Sequence, residues 1–312
     1  MVGYPMAGIP DEVVGWVRGV FATVNARVSG TLSRIPSHHE DALDHAFIGA
    51  LNEIPTVAGL SGWGVYIQTH FLGGRRYYYN WEIADIGVLL VLRDRSAVRR
   101  VKVGLLQSKR LYTREVKALP DQRRRYEVGF GGLLSDPSEF RRMAKGRTFK
   151  FDESCRYQAM DLEGRQAHTI AEYSAKERIP VYYLFYNPVE LPWSVRVPAL
   201  KLVPLPSVKA GCRVIPDTII RTEHEKLAVA PSFAELTQLT GFGTTHRGGW
   251  SLEHFVADEL LACREGYVAK VGKSDDTLYR LFSERSGPIS AAVALTIEAP
   301  EGVLLDLPAL EE

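Results

Sequence analysis

Two stretches near the start of the chain place apolar residues at helical spacing. The first is "EVVGWVRGVFATVNARVSGTLSRI", directly after Asp11, and the second is "HHEDALDHAFIGALNEI", which begins at His38. Ser37 stands just before the second stretch and is of a residue type that caps helix N-termini. The pattern therefore predicts two N-terminal helices.

Strand-like runs follow these helices. They are residues 63–71, the run that ends in "EIADIGVLLVLRD", and "SAVRRVKVGLLQSKRLY". Each is rich in β-branched and aromatic residues and is bounded by glycine or polar turn signals. We expect a unit of three sequential antiparallel strands behind the helices.

The next part of the chain changes in character several times. Residues 113–152 are Arg-rich and show no clean period, which favours a long basic insertion. The stretch "ESCRYQAMDLEGRQAHTIAEYSAKERIP" then has helical spacing, and "VYYLFYN" has the composition of a strand. The resulting order is α-β-β-β-α-β, with a mixed sheet flanked by helices.

Beyond residue 190 the chain is rich in proline and loop signals. Helical patterns recur at "SFAELTQLT" and "SLEHFVADELLACRE", and a last strand is expected at "SAAVALTIEA". We divide the chain into a core, residues 1–190, and a helical and loop-rich C-terminal region, residues 191–312. That region either packs on the core or forms a small accessory domain.

Composition places the chain among ordinary globular proteins. It has 312 residues, of which 46% are hydrophobic and 24% charged, and three cysteines without CxxC spacing. This argues against disorder, a disulfide scaffold and a zinc ribbon. No run approaches eighteen apolar residues and no signal-like segment opens the chain, so the expected location is the cytoplasm, away from membranes.

A net charge of +1 conceals a strongly basic block. Between Arg99 and Lys150 stand fifteen Lys and Arg against five Asp and Glu. Such a block suits a phosphate backbone, and it suits a merely solvated face about equally well. The candidate nucleic-acid contacts in it are Arg110, Arg114, Arg123, Arg124 and Arg125.

Polar residues inside two buried runs carry the candidate chemistry. Asp85 stands near the start of the apolar run "IGVLLVL", and Gln107 and Lys109 follow "VGLL". Residues two apart on a strand share a face, so Gln107 and Lys109 project together. Carboxylate and amide oxygens suit Mg²⁺ or Mn²⁺, and an adjacent lysine can orient a water and offset phosphate charge. Phosphodiester hydrolysis uses this combination.

An Asp on one strand followed by Gln-x-Lys on the next resembles the PD-(D/E)xK nuclease superfamily in its QxK variant. The resemblance covers residues 35–187 and implies a restriction-endonuclease-like core of α-β-β-β-α-β order. It implies a Mg²⁺- or Mn²⁺-dependent nuclease acting on DNA, with RNA as a further substrate to consider. Asp85 and Gln107 would hold the metal and Lys109 would position the attacking water. Ala84 takes the place of the superfamily's proline.

The superfamily also implies residues outside the two strands. An acidic residue from the superfamily's first core helix often joins the metal, and Glu40 is our choice, with Asp44 one turn on and Glu53 further along the same segment. Polar residues on the helix after the QxK strand often hold phosphates, which points to Tyr157, Gln158 and Arg165. Membership of a homodimer or of a complex with another protein, and a role in defence against foreign DNA, are family-level associations.

Three other interpretations stay open. Gln107 and Lys109 could line a solvated sheet edge, where lysine opposes aggregation. The chain could be a catalytically silent nucleic-acid-binding subunit of the same fold within a larger complex. It could also be an interaction protein of unrelated fold in which Asp85 lies far from Lys109.

Overall fold

The computed structural model describes residues 8–54, 57–72, 82–94, 97–115, 147–197, 201–202, 208–240, 242, 246–269, 276–283, 287–303 and 305. In that part of the chain the longer helices are α1 (Asp11–Arg34), α2 (Glu40–Asn52) and α3 (Arg165–Glu177). Shorter helices are α4 (Asp217–Thr222), α5 (Phe233–Thr237), α6 (Leu252–His254), which continues as a π-helix over Phe255–Leu260, and α7 (Asp276–Phe282).

The two N-terminal helices are confirmed. In α1 the residues at helical spacing face the core and are buried: Val13, Val17, Phe21, Val24, Val28 and Leu32. Helix α2 begins at Glu40, with His39 as its N-cap and no side-chain capping bond. The expected start at His38, capped by Ser37, is therefore two residues too early.

The strands of the large sheet are β1 (Val57–Leu60), β2 (Trp63–Phe71), β3 (Ala84–Asp94), β4 (Ala97–Arg110), β6 (Val181–Tyr186), β11 (Arg213–Pro216), β12 (Trp250–Ser251), β13 (Tyr267–Ala269) and β14 (Ile289–Ala299). Among the described residues these nine strands run in the order β1-β2-β14-β3-β4-β6-β11-β12, and β13 pairs with β4. Smaller sheets contain β5 (Arg147–Phe151), β7 (Glu190–Leu191), β8 (Trp193–Val197), β9 (Lys201–Leu202) and β10 (Val208–Lys209). The fold is α/β, a large mixed sheet flanked by helices.

The last strand lies in the middle of this sheet. β14 runs antiparallel to β2 and parallel to β3, so that β2 and β3 are not neighbours. The expected unit of three sequential antiparallel strands is therefore wrong at this point. Alternate residues of β14 are buried, namely Ala291, Val293, Leu295, Ile297 and Ala299. This burial explains why a strand from the C-terminal region can occupy a central position.

The helix expected after β4 is shorter than its pattern suggests. Helix α3 begins at Arg165, whereas residues 153–164 form turns and an isolated bridge at Arg156. The N–H of Tyr157 donates to the Pro231 carbonyl, so this backbone bonds to a distant segment and not along a helix. Tyr157 is buried and its hydroxyl donates to Asn187 Oδ1 at 2.6 Å, which turns it away from any phosphate.

The helices near the sheet pack on its faces and on one another. Helix α1 contacts α2 and the segment formed by α6 and its π-helical continuation, and α2 contacts β2 and β4. Of the helices in the described ranges, none is long and apolar enough to cross a membrane.

The central position of β14 predicts a large stability loss on Leu295→Ala. Leu295 is 1% exposed and faces Leu90 and Ile67 across its two neighbouring strands. Its truncation should lower the free energy of unfolding by about 2–5 kcal/mol in urea denaturation.

Thr296→Ser on the same strand is the control, because Thr296 is only partly buried. It should cost less than about 1 kcal/mol. Equal losses in the two variants would contradict a central β14.

Candidate active site

Strand β4 extends beyond the start of its neighbour β3. The pairing of the two strands begins at Ile86 opposite Leu106, and residues 107–110 pair on their other side with β6. The N–H of Leu111 donates to the Tyr186 carbonyl on that side. By strand alternation, the N–H groups of Ser108 and Arg110 point toward the side of β3, beyond the last residues that pair β3 with β4.

Two carboxylates accept these backbone N–H groups. The Ser108 N–H donates to Asp85 Oδ2 at 2.6 Å, and the Arg110 N–H donates to Glu40 Oε1 at 3.0 Å. Asp85 is the second residue of β3 and Glu40 the first residue of α2. The ends of a strand and a helix thereby bring two acidic side chains to the same edge of β4.

Asp85 also accepts hydrogen bonds from side chains of β4. Gln107 Nε2 lies 2.5 Å and Ser108 Oγ 2.7 Å from Oδ2. Gln107 thus meets Asp85 through its amide nitrogen, while its Oε1 accepts a bond from Gln166 Nε2 of α3 at 3.4 Å. The amide oxygen faces Asp85 only after a half-turn of the Gln107 amide, which Gln166 can follow by the same rotation.

Lys109 supplies a positive charge beside two of the acidic groups. Its Nζ is 3.8 Å from Glu40 Oε2, and its side chain is 6% exposed. Its charge opposes the rise in the pKa of both Glu40 and Asp85. The structure therefore brings together Asp85, Gln107, Lys109 and Glu40, which the sequence analysis selected.

A second carboxylate on α2 completes the cluster. Asp44 stands four residues after Glu40, hence on the same helix face. Its Oδ2 is 3.0 Å from Ser108 Oγ, and its Oδ1 accepts the Tyr186 hydroxyl at 2.6 Å. The sequence predicts Asp44 as an alternative acidic residue one turn after Glu40.

The sequence analysis missed Ser108, Tyr186 and Gln166. Ser108 alternates with Gln107 and Lys109 along the strand, which gives no reason to include it, yet its hydroxyl contacts Asp85 as well as Asp44. Tyr186 has the sequence context of any aromatic residue in a buried strand. The direction of the Gln166 side chain can be predicted only when the first residue of α3 is known. No local sequence signal identifies these three residues as parts of the site.

Burial and mutual repulsion make this cluster a poor place for unneutralised carboxylates. Burial is the main cause that raises the pKa of Glu40, Asp44 and Asp85, and the charge of Asp85 raises that of Asp44 further. Burial, followed by Asp85 and Asp41, raises the pKa of nearby Glu82 to about 8. One lysine is too little positive charge for these acids, which favours an added cation or proton.

The donor set fits a hard divalent cation in its chemistry. Its atoms are carboxylate and amide oxygens, the ligands of Mg²⁺ and Mn²⁺, and no cysteine or histidine takes part in the contacts above. Within the described ranges, however, no three Asp, Glu, His or Cys side chains already stand as a group able to hold a metal. Bonds from Ser108 occupy Asp85 Oδ2 and Asp44 Oδ2, so metal binding has to displace or rearrange them.

The predicted phosphate contacts separate into three groups. Arg110 is fully buried, and its guanidinium is used inside the protein. Arg114 and Arg165 are exposed, Arg114 beside Asp152 and Arg165 at the first position of α3, and Gln158 is partly buried. Arg123, Arg124 and Arg125 lie outside the described residues.

Comparisons of this chain with models of protein families, with curated proteins and with solved structures found no match. The chemistry of the site is therefore argued from its own contacts.

The Tyr186–Asp44 bond predicts a stability loss on Tyr186→Phe. Without the hydroxyl, Asp44 Oδ1 loses its short donor at a buried position. The free energy of unfolding at neutral pH should fall by about 1–3 kcal/mol, measured by urea denaturation.

Tyr183→Phe is the matched control on the same strand. Tyr183 is 2% exposed, and its hydroxyl makes no hydrogen bond to a described residue. Its loss should be close to zero, and an equal loss in both variants would refute the contribution of the Tyr186–Asp44 bond.

Proposed function

We propose that this chain is a metal-dependent nuclease that hydrolyses phosphodiester bonds of DNA. The observation that carries the proposal is the meeting of Asp85, Gln107 and Lys109 with Glu40 at the free edge of β4. The neighbouring strands β3 and β4 supply an acid, an amide and a lysine, and helix α2 supplies a second acid. This is the arrangement that the resemblance to PD-(D/E)xK nucleases implies.

The carboxylates of Asp85, Glu40 and Asp44 are the side chains that would hold Mg²⁺ or Mn²⁺, with the Gln107 amide oxygen as a further ligand. Oδ1 of Asp85 takes none of the bonds from Gln107 and Ser108, all of which reach Oδ2. The bound ion would neutralise charge on the phosphate and lower the pKa of a water.

The residues of the chain itself orient the reactants. Lys109 has its ammonium group beside Glu40 and is the cation placed to hold the attacking water and to offset charge that develops on the phosphate. Ser108 fixes Asp85 through both its backbone N–H and its hydroxyl. Gln166 fixes the amide of Gln107. These bonds hold the side chains in the metal-free protein, and the Ser108 hydroxyl bonds are the ones that a metal ion would displace.

Substrate would approach from the side of β4 that β3 leaves free, because the other side is covered by β6. Arg165 is exposed at the start of α3, next to the Gln166 that contacts Gln107, and this connection favours it as a phosphate contact. Arg114 and the predicted Arg123, Arg124 and Arg125 would extend the contact along the DNA backbone.

One observation favours a second candidate function, a catalytically silent DNA-binding subunit. The hydrogen bonds of Ser108 and Gln107 close the acidic cluster on itself, without a ready group of three metal ligands in the described residues. A protein that kept these bonds would bind DNA in a salt-dependent manner and leave it intact.

Cleavage of plasmid and oligonucleotide DNA in Mg²⁺ or Mn²⁺ tests the proposal. We expect metal-dependent cleavage by the natural chain and a loss of at least about a hundredfold in rate for Asp85→Asn and for Lys109→Ala. Asp161→Asn and Lys209→Ala alter exposed residues outside the site and should cleave at the rate of the natural chain. Matching RNA substrates establish which nucleic acid is preferred.

Thermal unfolding of each variant separates loss of chemistry from loss of fold. Cleavage that survives both site substitutions would show that another centre does the chemistry. Salt-dependent DNA binding without cleavage, in the natural chain and all variants alike, would support the silent subunit instead.

A further inference from the structure

Arg110 is the last residue of β4 and carries a fully buried guanidinium group. The guanidinium carbon lies 3.9 Å from the centre of the Tyr112 ring. Its Nη1 donates to the backbone oxygen of His38, in the segment between α1 and α2. A cation in this position is held by an aromatic face and one carbonyl, without an opposite charge in direct contact.

Two donor atoms of this guanidinium have no acceptor. Nε and Nη2 of Arg110 are buried and make no hydrogen bond in the described part of the chain, and His38 Nδ1 is buried in the same way. Buried polar atoms in native proteins are nearly always paired, so two unpaired nitrogens on one guanidinium favour an occupant that supplies acceptors. Nε and Nη2 form the edge of the guanidinium that binds an oxyanion through two parallel hydrogen bonds.

The protein does not supply that oxyanion from its nearest acid. Glu40 accepts the backbone N–H of Arg110, and its other oxygen faces Lys109 at 3.8 Å. Burial lowers the pKa of Arg110, and the nearby Tyr112 and Glu40 only partly oppose this. An anion bound at Nε and Nη2 would supply the missing negative charge.

We propose that Arg110, together with His38, binds a phosphate monoester. The phosphate monoester is the terminal phosphate of a nucleic-acid strand that lies in the adjacent active site. This part of the inference rests on the proposed function. An internal phosphodiester continues in both directions and does not fit at a fully buried guanidinium, whereas a terminal phosphate enters as a small end group. His38 is partly exposed, so the entry lies beside its ring. The same chemistry also suits free inorganic phosphate.

The first arm of the test measures thermal unfolding of the full chain in EDTA. Inorganic phosphate is titrated against chloride at constant ionic strength, and the Tm should rise with phosphate concentration because the folded state binds the anion. Arg110→Lys keeps the positive charge and loses the bidentate hydrogen-bonding edge of the guanidinium, so its Tm should not change with phosphate concentration. Arg280→Lys, at an exposed arginine of α7 outside the site, should respond as the natural chain does.

The second arm compares oligonucleotides that differ only in a 5′- or 3′-phosphate against a hydroxyl at the same end. Binding is measured in EDTA, so that neither cleavage nor metal affinity enters the result. We expect one phosphorylated end to bind about tenfold more tightly to the natural chain and to Arg280→Lys, a difference of ~1.4 kcal/mol. Arg110→Lys should bind both forms equally.

A natural chain whose Tm ignores phosphate overturns the site, whatever the nuclease assay shows. A response to inorganic phosphate without any preference for phosphorylated ends supports the oxyanion site and overturns the terminal source. If Arg110→Lys does not fold, His38→Phe removes the Nδ1 donor and should weaken the phosphate response. The titration of the natural chain remains decisive on its own.

Discussion

The site depends on the different lengths of two neighbouring strands. β4 continues past the start of β3, and the N–H groups of Ser108 and Arg110 are left without a strand partner on that side. Backbone donors inside a protein need acceptors, and the carboxylates of Asp85 and Glu40 supply them. A requirement of sheet formation therefore gathers the acidic side chains that the proposed chemistry uses.

The same strand end concentrates charge that the protein alone does not balance. Lys109 is the cation beside Glu40 and Asp85, and Asp44 is connected to Asp85 through Ser108. Burial raises the pKa of all three acids. Arg110, the next residue along, has the opposite need, since two nitrogen atoms of its guanidinium have no acceptor among the described residues. A cation for the acids and a phosphate for the arginine are complementary to these two needs, and a metal-dependent nuclease brings both together.

The meeting of Asp85, Gln107, Lys109 and Glu40 was easier to predict from the sequence than the path of the chain around them. Asp85, Gln107, Lys109 and Glu40 were predictable because strand alternation and helix spacing are local. The position of β14 was not predictable, since pairing between residue 295 and residues 67 and 90 is set by tertiary packing. The start of α3 was not predicted because several backbone groups in residues 153–164 form hydrogen bonds to distant segments. The spacing of apolar residues does not indicate such bonds. The burial of Arg110 was not predictable for a similar reason, because a basic run does not indicate which of its arginines will be buried.

The most direct test of the account is the position of Mn²⁺ in crystals of the protein, found from its anomalous scattering. The account predicts one strong peak bounded by the carboxylates of Asp85, Glu40 and Asp44, and no such peak in crystals of Asp85→Asn grown in the same conditions. A peak elsewhere, or an intact Ser108 bridge between Asp44 and Asp85 at saturating Mn²⁺, would contradict a metal site at the free edge of β4.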